Sequence, residues 1–239
     1  MRTLVDSVLE EIEAERTAGA GTLGKRGAEL ISFFISSYSG EASSFLKELI
    51  LLTKRLILAQ PSMAPFFHLA NIVLLAAEDP NDLKGMKAAV KGAIERFNLH
   101  LRTAARKISE LGRGLIPPEG KILTHSYSST VLRTLVDARK SGQIFRVVCT
   151  ESRPVCEGFQ MARELCELGV ETQLQTDVAA AYTVKDVDLV LVGADCLTPL
   201  GLVNKVGTYC LALSAKARNV PFYSLCGTEK LLGAKMLGG

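Results

Sequence analysis

The sequence predicts an α/β protein: an N-terminal helical domain followed by a C-terminal Rossmann-like domain with a mainly parallel sheet. Three observations carry this. Apolar residues recur at helical spacing through the first 115 residues or so. Pro117, Pro118 and Gly120 then interrupt the chain. Beyond them, short β-rich runs alternate with amphipathic helical segments, the pattern of strands joined by helical crossovers. The expected domains are residues 1–118 and 119–239.

In order, the helical half shows apolar periodicity in Leu4 to Ile12, Leu30 to Phe34, Phe45 to Leu58 and the stretch Met86, Ala89, Val90, Ala93, Ile94 and Phe97. Gly19 to Gly24, Tyr38 to Gly40, Pro61 and Asp79 to Asn81 punctuate it. In the second half the expected strands are Lys121 to Thr124, Phe145 to Thr150, Glu171 to Thr176, Asp188 to Val192 and Pro221 to Leu225. Helices are expected near 129–140, 156–168 and 207–218, with a shorter one after Asp177. There is no internal repeat.

With 239 residues, 48% hydrophobic and 22% charged, the chain is neither disordered nor low in complexity. Its net charge of +3 is too small for the footprint of a dedicated nucleic-acid binder, and no direct nucleic-acid contact is predicted. The apolar runs around Leu49 to Leu58 and Asn71 to Ala77 are interrupted or short, so no membrane span is expected. The amphipathic, acid-studded start does not resemble a signal peptide, and a cytoplasmic location is expected. Six cysteines at 149, 156, 166, 196, 210 and 226 form no CxxC pair and no zinc spacing with His68, His100 and His125. They read mostly as small apolar residues, and neither metal nor cofactor is expected.

Gly19-Ala-Gly-Thr-Leu-Gly24 matches GxGxxG letter for letter. Its context is wrong, because a helical segment rather than a strand precedes it and no acid-tipped strand follows about twenty residues on.

Ligands of doubly wound sheets sit outside the carboxyl ends of the strands, so the residues after each strand matter most. After the first comes Thr124-His125-Ser126-Tyr127-Ser128-Ser129-Thr130, either an anion-binding helix N-terminus or an ordinary N-cap. After the second comes Thr150-Glu151-Ser152-Arg153-Pro154, in which Arg153 either grips a phosphate or pairs with Glu151. Gly193-Ala194-Asp195 puts a carboxylate on the same rim, as a ligand group or a turn cap. Asn204-Lys205-Val206-Gly207-Thr208 adds an amide and an ammonium before another helix. Together they suggest a site for a phosphorylated small molecule, with Ser128, Ser129, Arg153, Asn204 and Lys205 as its binding groups.

These motifs, in this order, resemble the shared core of two related groups. One comprises the alpha, beta and delta regulatory subunits of translation initiation factor 2B. The other comprises the aldose-phosphate isomerases acting on ribose 1,5-bisphosphate and methylthioribose 1-phosphate. The resemblance runs through nearly all of residues 119–226. It implies a homodimer or higher oligomer, translation-factor partners and a pocket for a sugar phosphate or nucleotide. In the isomerases a Cys of the first motif and the Asp of Gly-Ala-Asp carry the acid and base steps. Asp195 matches that Asp, whereas Ser126 stands at the position of the Cys and is a far weaker acid. The isomerases also carry an Arg-Gly-Ala where this chain has Ala18-Gly19-Ala20, with Arg16 and Lys25 as the nearest cations. The expected function is therefore that of a regulatory subunit. The alternative is an aldose-ketose isomerase, which the retained Asp195 favours. Relatives usually continue through another strand and helix where this chain stops within ten residues of Lys230, which leaves open a naturally short tail or a trimmed sequence lacking an edge of the pocket or of the oligomer interface.

Overall fold

The computed structural model describes residues 2–233, which divide into two compact units. The first comprises residues up to Thr103 together with Asp195–Pro199 and the segment from Glu229. The second comprises Ala104–Ala194 and Leu200–Thr228.

Helices of the first unit are α1 (Arg2–Ala14), α2 (Ala20–Ser37), α3 (Ala42–Ala59), α4 (Ala64–Glu78) and most of α5 (Leu83–Arg113), whose last residues belong to the second unit. Their inward faces follow the helical repeat. In α3, Phe45, Leu49, Leu52 and Leu56 are buried, spaced by three and four residues, and pack with Leu23, Ile31 and Phe34 of α2 in one core. Phe34, Tyr38 and Phe45 form an aromatic cluster with ring centroids 5.1–5.8 Å apart. The GxGxxG stretch is not a loop between strand and helix. Gly19 is the N-cap of α2, and a β-carbon at Gly24 would lie 3.0 Å from Pro65, so that glycine serves helix packing.

The second unit is built on a five-stranded, wholly parallel sheet: β1 (Lys121–His125), β2 (Arg146–Thr150), β3 (Glu171–Gln175), β4 (Leu189–Val192) and, numbered by its place in the chain, β7 (Phe222–Ser224). Its order is β3-β2-β1-β4-β7. The crossover helices are α6 (Ser129–Lys140), α7 (Gly158–Glu167), α8 (Asp177–Thr183) and α9 (Thr208–Arg218). Alternation along the strands sends side chains to two separate cores. Ile122, Val147, Leu189 and Leu191 meet α6 and α7 on one face, while Leu123, Val148, Val190 and Val192 meet α8 and α9 on the other.

Strand ends fall within one or two residues of the expected bounds. The sequence reading did not anticipate β5 (Cys196–Thr198) and β6 (Gly201–Val203), which have only three residues each and no repeat to read. Helix α2 also begins at Ala20, inside the stretch taken as a break. No helix among the described residues is long and apolar enough to cross a membrane.

The connection from β2 to α7 is unusually close. A β-carbon at Gly158 would lie 1.7 Å from the Thr150 carbonyl oxygen, so only glycine lets the helix start there. This pins the start of α7 against the end of β2, the location of the site described next.

Candidate functional site

After β1 the chain turns to β2 on one side, and it later returns to β4 on the other, with Thr124 beside Cys149 and His125 beside Val192. The carboxyl ends of β1 and β4 therefore form the topological switch point, where doubly wound sheets hold their ligands. The loops after β1, β2 and β4, and the loop before α9, supply the side chains there.

At its centre is Glu157, just before α7, with 7% of its surface exposed. Its carboxylate does not cap the helix. Instead Oε1 accepts the Ser126 hydroxyl at 2.7 Å, while Lys205 Nζ lies 2.8 Å from Oε1 and 2.9 Å from Oε2. The Glu157 and Lys205 side chains are 5% and 14% exposed. A charge so deeply buried is tolerable only when its partners replace lost hydration, and here an ammonium and a hydroxyl do so.

Ser126 itself has φ of 71°, in the left-handed region that non-glycine residues seldom occupy. Its backbone N–H donates to Ser152 Oγ at 2.7 Å. Ser152 Oγ lies 3.0 Å from Thr150 Oγ1, which lies 2.6 Å from His125 Nδ1, and His125 Nε2 lies 2.8 Å from the Val206 carbonyl. A carbonyl can only accept, so Nε2 carries the hydrogen, and in the neutral ring Nδ1 accepts from Thr150. One direction of donation then satisfies the whole series, from the Ser126 N–H through Ser152, Thr150 and His125 to Val206. His125, 3% exposed, is a brace between loops with both nitrogens engaged.

The Asp177 carboxylate closes the loop after β2, accepting the Ser152 and Arg153 N–H groups at 2.7 Å each. Arg153 follows the simpler of the two sequence readings. Its guanidinium pairs with Glu151 at 3.4 Å, with 69% of the side chain exposed. The charges of Cys156 and Glu151 raise its pKa further.

Ser128 is the N-cap of α6, its Oγ accepting from the Val131 N–H at 3.3 Å. A β-carbon at Gly193 would lie 2.5 Å from that Oγ, so glycine lets the loop after β4 approach the loop after β1. Ser129 is exposed at the first position of α6. Asn204 Nδ2 donates to Thr208 Oγ1 at 3.0 Å. Asp195 belongs to the first unit, where it is half-buried and its carbonyl accepts from the Ala64 N–H at 3.3 Å.

Of the residues singled out from the sequence, Ser126 and Lys205 are thus joined through one carboxylate, while Ser128, Arg153 and Asn204 bond within their own loops. Sequence reasoning missed Glu157, His125, Thr150, Ser152 and Asp177 as parts of this network. The one local signal for Glu157 was an acid directly before the glycine that opens α7.

The cysteines divide. Cys149 and Cys196 are buried, Cys156 and Cys226 half-buried, and Cys166 and Cys210 exposed, so the core reading does not extend to the last two. Burial pushes the Cys149 thiol up to about 12, with the nearby Cys166 adding to the shift. Among the described residues no group of three or more His, Cys, Asp and Glu side chains is arranged to hold a metal ion.

A helical unit and a doubly wound parallel sheet of this strand order, with hydroxyl, carboxylate and ammonium groups gathered at its switch point, define the chain as a two-unit α/β protein. Within that class, the profile of the Initiation factor 2 subunit family, IF-2B, matches residues 16–236, and the chain belongs to this family. An eIF-2B subunit 2-like protein of Pyrococcus furiosus is 36% identical over 227 residues, which cover 95% of this chain and 79% of that one. A protein of Archaeoglobus fulgidus named ribose 1,5-bisphosphate isomerase is 32% identical over 230 residues, covering 96% and 72%. The crystal structure of translation initiation factor eIF-2B from Pyrococcus horikoshii superposes with a TM-score of 0.87 at 32% identity, covering 95% of this chain and 79% of that one.

Proposed function

We propose that the chain is a non-catalytic, eIF-2B subunit-like regulatory protein that binds a sugar phosphate or nucleotide at the switch-point rim. One observation carries this reading. Ser126, at the position the isomerases fill with a thiol, donates its hydroxyl hydrogen to a buried carboxylate already paired with Lys205. A hydroxyl held in that way is a poor proton donor to a substrate, and its own acidity is far below a thiol's. The phosphate of the ligand would lie at the N-terminus of α6, where the amides of Ser129 and Thr130 and the helix dipole favour an anion. Asn204 and Lys205 would face its sugar.

The same reading makes the protein a self-associating, cytoplasmic partner of translation factors, with no membrane or direct nucleic-acid contact. The test is an isomerisation assay with ribose 1,5-bisphosphate and methylthioribose 1-phosphate, followed by NMR and paired with calorimetric binding of the same compounds. Binding without ketose formation is expected. Ketose formation at an enzymatic rate overturns the proposal.

The second reading is an aldose-ketose isomerase with Asp195 as the acid/base group. It is favoured by that retained carboxylate and by the 32% identical relative named as a ribose 1,5-bisphosphate isomerase. Turnover lost in Asp195→Asn would establish it.

A further inference from the structure

The two ends of the switch-point rim differ in the donors they hold ready. At the start of α6 the Val131 N–H goes to the Ser128 hydroxyl and the Leu132 N–H to the Ser128 carbonyl. The amides of Ser129 and Thr130 are left for an outside acceptor, which is room for one anion. At the Lys205 end the donors are already engaged. The ammonium lies 2.8 and 2.9 Å from the two Glu157 oxygens, and Asn204 Nδ2 donates to Thr208 Oγ1 at 3.0 Å. The Thr208 hydroxyl and N–H both go to the Lys205 carbonyl, at 2.6 and 3.1 Å.

The other charged groups of these loops do not tip the balance toward cations. Arg153 pairs with Glu151, Asp177 holds the Ser152 and Arg153 N–H groups, and His125 is neutral with both nitrogens engaged. Three acids, Glu151, Glu157 and Asp177, therefore face two bases, Arg153 and Lys205.

We infer that Glu157 is a specificity-determining residue: by neutralising Lys205 it fits the rim to a compound with a single phosphate and free hydroxyls at its other end, and turns away a second phosphate there. The inference rests on the proposed binding of a phosphorylated compound at this rim, and it narrows the class of that compound.

An ammonium carries three hydrogens and no acceptor. With two directed at Glu157, one remains for a neutral acceptor such as a sugar hydroxyl, which Lys205 can meet through the 14% of its side chain that is exposed. A phosphate dianion in the same place would sit behind a cation already matched, close to a carboxylate that water screens poorly because 5% of its side chain is exposed. The Ser126 hydroxyl gives no relief, since its hydrogen is directed at Glu157 Oε1 at 2.7 Å. Taken alone, a lysine ahead of a helix is a phosphate grip. The carboxylate that changes its role lies 48 residues away in the chain.

The test is isothermal titration calorimetry of the full chain with ribose 1-phosphate, ribose 5-phosphate and ribose 1,5-bisphosphate. The natural protein is expected to bind at least one monophosphate on the order of 30-fold more tightly than the bisphosphate, the scale of a like-charge contact. Glu157→Gln keeps the shape and an acceptor for Ser126 but no charge, and is expected to reduce that preference on the order of 10-fold by tightening the bisphosphate. Glu157→Asp keeps the charge and is expected to keep the preference. Circular dichroism checks that each variant is folded, and the comparison made on the natural protein needs no variant.

A bisphosphate bound by the natural protein as tightly as either monophosphate overturns the inference and leaves binding at the rim standing. A folded Glu157→Gln protein with unchanged preference overturns the role of Glu157. Absence of binding by all three compounds overturns the reading of the rim itself.

Discussion

Replacing Lys205 by methionine keeps most of the side-chain volume but removes the ammonium that lies 2.8 and 2.9 Å from the two Glu157 oxygens. The carboxylate, 5% exposed, would keep the Ser126 hydroxyl at 2.7 Å but lose its counter-charge. Breaking a buried pair from one side costs about 3–5 kcal/mol. Because Lys205 retains 14% exposure, water can partly replace it, and the lower end, about 3 kcal/mol, is expected. That corresponds to a fall in melting temperature of roughly 6–12 °C for a chain of this size. The companion variant, Glu157→Leu/Lys205→Met, removes both charges and is expected to recover most of the loss. Thermal and urea unfolding by circular dichroism measure both. The reasoning is refuted if Lys205→Met costs less than about 1 kcal/mol, or if the double variant is less stable than either single one.

Ser126→Ala removes a hydrogen bond to a charged acceptor and is expected to cost about 1.5–3 kcal/mol, read as a shift in urea midpoint. Gly158→Ala forces a methyl group into the Thr150 carbonyl and is expected to destabilise by more than about 4 kcal/mol, the level reserved for severe backbone and packing conflicts; unchanged stability would contradict the β2–α7 contact. The Glu15 carboxyl is held down to about 2 from its usual 4.5, chiefly by the hydroxyl and N–H of Thr17. A depressed carboxyl stabilises the fold fully above pH 4.5 and loses that contribution as pH falls toward 2. Glu15→Gln should therefore flatten the stability profile in that window, by about 1 kcal/mol once solvent screening is allowed for. Tyr127 is raised to about 12 by burial and by Glu164, so its ultraviolet titration should lie well above that of an exposed tyrosine.

The parallel sheet was legible because its central strands alternate between two cores. Val147 and Cys149 face one, Val148 the other, and the flanking turns are marked by Gly and Pro. Helix α4 was harder to delimit, since Leu75 is 55% exposed while Leu69 and Val73 are buried, which blurs the contrast between its faces. The chemistry of the rim was only half legible. Strand ends told which loops converge, and so Ser126 and Lys205 stood out. Their connection did not, because it runs through Glu157, and such links span 31 and 48 residues. Glu157 looked like an ordinary acid at a helix start. His125 likewise reaches Val206 across 81 residues, a distance over which no local pattern operates.

The series of bonds from Ser126 to Val206 also bears on how this sequence can drift. Ser152 and Thr150 each give one hydrogen and receive another. Valine at 150 would match the shape and lose both roles, and alanine at 152 would strand the Ser126 amide. Serine at 150 is the nearest single step that keeps donor and acceptor there, whereas Ser152, buried with φ of 66°, has no such step, because a β-branched threonine is strained in the left-handed region. Change elsewhere in these loops is thus channelled around a few hydroxyls, and lineages can vary the surface of the rim far more freely than the bracing beneath it.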